Sequence, residues 1–173
     1  VMTAAPEKRA RATHALARAY VGGHLSADDH DAAEAAMTFL LDDPSEKVRY
    51  ALVDALAGSD QAPRHIIMAY FHNDPKLGPL VAARSPLLSD AELVDAVAEG
   101  TPSFQMAIAG RSALSGALCA AIAEVGSYEA CIRMLANMGA TFLAKTLLRL
   151  AERFGHDADM QSILMDHGRL PVA

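Results

Sequence analysis

A chain of 173 residues with 52% hydrophobic residues, 5% aromatics and no tryptophan has ample apolar material for a core. That mixture favours closely packed helices over β-sandwiches. Its formal net charge of −6 and pI near 5.6 argue against a general phosphate-backbone binder, which needs a concentrated cationic surface to displace counterions.

Residues 1–5 are expected to be a disordered N-terminus, with Val1 ahead of Met2 as a remnant or an alternative start. Lys8, Arg9, Arg11 and Arg18, diluted by Glu7, are read as a solvated helix face. Ser26 is placed to cap a helix from near Ala27 that carries the apolar stripe Ala33, Ala36, Met37, Leu40 and Leu41. Asp43 before Pro44 is read as an N-cap followed by a first-turn proline. The stripe Val48, Ala51, Leu52, Ala55 and Leu56 follows it, then Pro63, Ile66, Ile67, Tyr70 and Phe71.

Asp74 with Pro75 repeats the cap-plus-proline pattern, but Pro79 would cost a helix from Pro75 a hydrogen bond, which moves the expected start to Gly78. Ser89 with Glu92 is a capping box ahead of Leu93, Val94, Val97 and Ala98. Thr101 with Pro102 opens the next helix, and further stripes follow at Leu118, Ala121, Ile122 and Val125, and at Tyr128, Cys131, Ile132 and Leu135. Leu143, Leu147, Leu150, Ala151 and Phe154 make the clearest C-terminal stripe. Gly22, Gly23, Gly58, Gly100, Gly126, Gly139 and Gly155 are read as left-handed helix closures.

These marks predict an all-α protein of about eleven short antiparallel helices, arranged as an α-solenoid. One helical-repeat domain is expected over 6–169, with a C-terminal tail at 170–173. The starts Asp43, Asp74, Thr101 and Ser127 open the second helix of each pair, and Ala83–Leu87 matches Gly110–Leu114 in phase.

The run Asp43 to Leu52, DPSEKVRYAL, resembles a HEAT repeat. More specifically, VRYALVDAL at Val48–Leu56, ARSPLLSDAELV at Ala83–Val94, AIAGRSALS at Ala107–Ser115 and LANMGA at Leu135–Ala140 resemble the bacterial proteins grouped as domain of unknown function 2336. The likeness runs from about Leu40 to Pro171. It implies a HEAT-like helical fold with no assigned activity. Gly78 and Pro79 stand where Val-Arg would recur, so no unbroken Asp/Arg ladder is expected.

Motifs of catalysis are missing. Gly110–Leu114 begins like a nucleophile elbow, but Leu114 replaces the second glycine and the preceding strand is lacking. The seven histidines show no His-Glu-x-x-His spacing, and Cys119 and Cys131 are read as reduced core residues. Asp28, Asp29, Asp31, Asp42 and Asp43 sit at expected helix starts, where the helix dipole accounts for them.

The expected function is a protein-protein interaction scaffold or adaptor, not an enzyme, with no cofactor and no metal. The alternatives are a HEAT-like nucleic-acid-binding protein and an enzyme without a recognisable motif. No apolar run reaches a membrane span and no signal peptide is visible, so a cytoplasmic place is expected. In HEAT-like stacks the second helix of each pair lines the inner face. The resemblance thereby nominates Arg49, Arg84, Gln105, Arg111, Arg133 and Asn137, with Asp54, as partner contacts. Arginine dominates the set, and its planar guanidinium holds carboxylates at two points, so an acidic peptide segment is the expected partner.

Overall fold

The computed structural model describes residues 5–166, and the chain divides into two compact units at Leu87/Leu88. Eleven α-helices and no extended strand occur among the described residues. The expected tail at 170–173, and all of the leader except Ala5, lie outside them.

The N-terminal unit contains α1 (Pro6–Val21), α2 (Ala27–Phe39), a 3-10 turn (Leu40–Asp42), α3 (Glu46–Leu56), α4 (Arg64–Asn73) and α5 (Gly78–Arg84). Helix α1 packs along α3 and touches α2, while α4 packs on α5. The core gathers Met37, Val48, Leu52, Leu56, Ile66 and Ile67, all fully buried. Each such side chain stabilises the unit by roughly 1.5–3 kcal/mol relative to an exposed one.

Capping in this unit differs from expectation at one place. Ser26 accepts from the Asp29 N–H as expected, and α5 begins at Gly78. Asp43, however, is not the N-cap of α3. The helix starts two residues later at Glu46, with Ser45 in the cap position. Asp43 cannot serve because its carboxylate is already engaged: Oδ1 takes the Ser45 N–H at 2.8 Å and both oxygens face the guanidinium of Arg9. Arg9 is therefore buried against α3, not part of a solvated basic face.

The C-terminal unit contains α6 (Asp90–Glu99), α7 (Pro102–Ala109), α8 (Gly116–Val125), α9 (Tyr128–Leu135), α10 (Ala144–Phe154) and α11 (Ala158–Asp166). Here α6 packs on α8 and α8 on α10, while α7 packs on α9. Helices adjacent in sequence also touch, as α6 with α7, α8 with α9 and α10 with α11. Ser89 and Ser115 cap α6 and α8 through their hydroxyls, and Ser89 completes the expected capping box with Glu92. Ser127 caps α9, whereas Thr101 occupies the cap of α7 without a side-chain bond.

One pair of loops meets as an isolated parallel bridge. Leu114 N–H donates to Gly139 O and Thr141 N–H donates to Leu114 O, both at 3.0 Å.

The glycine closures need correction. Only Gly23, at φ +68°, is left-handed among the described glycines. Gly126 closes α8 at φ −64°, and a Cβ there would collide with the Ile122 carbonyl oxygen. Want of room after the last turn, not a positive φ, makes glycine the fitting residue there. No helix among the described residues is long and apolar enough to cross a membrane.

Candidate functional site

The six nominated residues fall on both units and meet different fates. In the C-terminal unit, Gln105 is buried on α7. Its Nε2 donates to Val97 O at 2.9 Å and its Oε1 accepts from Ser127 N–H at 2.8 Å. Gln105, nominated as a partner contact, has its amide turned inward, where it ties the end of α6 to the start of α9. A long polar side chain pointing inward is tolerated because both ends of its amide are satisfied.

Asn137 follows the same logic. Its Nδ2 donates to Ala109 O and Arg111 O at 2.9 and 2.7 Å, and its Oδ1 accepts from Gly139 N–H at 2.8 Å. It closes the C-terminus of α7 from the loop after α9. Arg153 does the equivalent for α8, donating to Ala123 O and Gly126 O at 2.6 and 2.9 Å. The nomination missed Arg153, which lies beyond the helices singled out as second members of pairs.

Arg111 and Arg133 remain in this unit. Arg133 is exposed, and its guanidinium lies against Gly110, where a Cβ would strike it. Arg111 is half-buried; burial pulls its pKa down and the Asp90 carboxylate opposes that pull. Arg133 thus places one guanidinium at the carbonyl end of α7.

In the N-terminal unit, Arg84 pairs with Asp54 at 2.9 Å on an exposed face. Arg49 donates to Asp43 O at 2.7 Å, and its Nε stands 3.6 Å from Asp74 Oδ2. Asp74 in turn accepts the N–H groups of Lys76 and Leu77 through Oδ1. The Asp74–Pro75 pair therefore makes an Asx turn ahead of α5 and does not cap it.

Arg49, Asp42, Asp43, Asn73 and Asp74 line a cleft of about 440 Å³ with Tyr70 among them. Tyr70 is 3% exposed, and its hydroxyl finds no hydrogen-bond partner among the described residues. Burial pushes the phenol well above its usual range; Arg49 opposes this, and Asp74, Asp42 and Asp43 add to it. The hydroxyl stays neutral. Asp43 is held below the usual carboxylate range, chiefly by its hydrogen bonds from Arg9. Sequence reading placed Tyr70 on a core stripe and missed its hydroxyl. The available signal was the recurrence of Asp-Pro at Asp43 and Asp74, both of which line this cleft.

Other reactive groups are quiet. Burial raises the Cys131 thiol to about 11, which disfavours the nucleophilic thiolate. Tyr20 donates to Glu34 at 2.5 Å and His65 Nδ1 lies 3.6 Å from the same carboxylate. No group of three or more His, Cys, Asp or Glu side chains arranged for a metal ion occurs among the described residues.

A family model described as "Uncharacterised protein conserved in bacteria (DUF2336)" matches residues 80–173. Of the runs quoted above, those at 83–94, 107–115 and 135–140 fall within that match, and the run at 48–56 lies outside it. No curated protein matches, and no solved structure matches.

Proposed function

The chain belongs to the bacterial family of uncharacterised proteins termed domain of unknown function 2336, and from that premise we propose a non-enzymatic, cytoplasmic interaction scaffold of HEAT-like antiparallel helix pairs. The observation that supports this reading is the packing of the C-terminal unit. Alternate helices contact each other in two rows, α6, α8 and α10 in one and α7 and α9 in the other. Caps recur 26 residues apart, at Ser89 and Ser115 and at Thr101 and Ser127. Each helix pair leaves an apolar face that only the next pair covers, the stacking logic of helical repeats.

The partner chemistry of this reading is an acidic peptide segment, and it rests on the guanidinium groups left to meet one. Gln105 and Asn137 spend their amides inside the fold, while Arg49 and Arg84 face the protein's own carboxylates. Arg133, exposed against Gly110, is the guanidinium best placed to receive a carboxylate at two points.

The test is fluorescence anisotropy of the full chain with labelled glutamate-rich and lysine-rich peptides of equal length, and with labelled duplex DNA at physiological salt. Salt-sensitive binding of the glutamate-rich peptide alone, abolished by Arg133→Glu, is the expected result. No binding of that peptide, or binding indifferent to Arg133→Glu, removes this face; tight DNA binding supports a nucleic-acid reading instead.

A further inference from the structure

Helices α1 and α2 enclose a groove that peptide binding at Arg133 does not use. Ala12 and Leu16 of α1 line it with Ala36, Phe39 and Leu40 from the end of α2 and the turn that follows, around a volume of about 640 Å³. Arg9 also borders it, but its charge is answered by Asp43 at 2.9 Å. Phe39 is 73% exposed. A large ring left in water at an apolar groove marks a surface that gains by being covered.

The charges along the two helices decide what covers it. Lys8, Ala12 and Leu16 follow one another at four-residue steps on α1, and Asp28, Ala32 and Ala36 do so on α2, so each set shares one side of its helix. The first half of α1 lies against the end of α2. The row on α1 therefore carries Lys8 to one end of the groove, and the row on α2 carries Asp28 to the other. Both side chains are exposed. A surface with an apolar middle, a basic end and an acidic end is complementary to itself. A two-fold axis across its middle lays the Lys8 end of one copy on the Asp28 end of the other and closes water away from both Phe39 rings.

We infer that the chain pairs with a second copy of itself through this groove, α1 and α2 of each copy packing on α1 and α2 of the other. The apolar middle supplies the affinity, and the two opposite ends set the orientation. The inference stands apart from the scaffold reading, since it concerns another unit and does not involve Arg133.

Sedimentation velocity of the full chain over a range of concentrations tests it, and a monomer–dimer equilibrium is the expected result. Phe39→Asp changes a side chain that already stands in water, so the helical circular dichroism should hold while association weakens by about tenfold or more. Lys8→Glu makes both ends of the groove negative, and Asp28→Lys makes both positive. Each alone is expected to weaken pairing several-fold at low salt, and an equimolar mixture of the two to restore it as a heterodimer. A chain still monomeric at about 0.5 mM overturns the inference. So does a dimer unaffected by Phe39→Asp, or a mixture of the two charge variants that associates no better than either alone. A monomer that instead takes up an amphipathic model helix, and loses it with Phe39→Asp, assigns the groove to a foreign helix and overturns self-pairing.

Discussion

The two units bury polar groups by different means. At the centre of the N-terminal unit lies an ion pair, Arg9 with Asp43, joining α1 to the start of α3. The C-terminal unit instead buries the Gln105 amide and sends it, with Asn137 and Arg153, to backbone carbonyls at helix ends. In the first unit one buried charge is answered by another, Arg9 by Asp43, whereas the buried Gln105 amide is satisfied without charge by the last turn of α6 and the start of α9.

Charge inside the N-terminal unit is tolerable only with a partner, and Leu52→Asp tests that most severely. Leu52 is fully buried on α3, so an aspartate there has no counter-ion and is expected to cost about 4 kcal/mol or more. An unchanged melting temperature would mean that α3 does not carry the core.

A smaller effect is expected from Asp43→Asn, which removes the charge but keeps the shape. The folded pKa of Asp43 is depressed, mainly by Arg9. Its contribution is therefore present above the unfolded value of about 4 and lost as pH falls through the folded one. The variant should melt on the order of 5 °C lower at neutral pH and lose part of the acid sensitivity. Thermal melts between neutral and strongly acid pH check this, and parallel profiles for variant and parent would refute it.

The smallest of the three concerns the other unit. Gln105→Leu leaves the Val97 carbonyl and the Ser127 N–H without their partner, at an expected cost of about 1–3 kcal/mol, independent of pH. Denaturant titration at two pH values measures it. A cost that varied with pH as the Asp43 variant's does would erase the distinction between the units.

Much of the fold was legible because periodicity is a local signal. Leu52, Leu56, Ile66, Ile67, Ile122 and Leu150 all sit on the expected stripes and are fully buried. Stripe edges were less legible: Val125 and Leu143 are 47% and 45% exposed, whereas Val53 and Ala57, outside any named stripe, are buried. Short helices with neighbours on two sides do not bury one straight face. The nominated arginines were visible as residues, but their partners were not. Asp54 stands 30 positions from Arg84 and Asp43 stands 34 from Arg9, separations that leave no mark in local spacing. Gln105 was misplaced for the same reason, since its three bonding groups lie on other helices.

The bridge between Leu114 and Ala140 joins two positions 26 residues apart. Two loops that carry no strand of their own thus run side by side at the roughly 4.8 Å separation of paired strands. The approach leaves no room for a side chain at Gly139, because a Cβ there would collide with the Ser112 carbonyl oxygen of the facing loop. A single methyl group at that position would push the two loops apart.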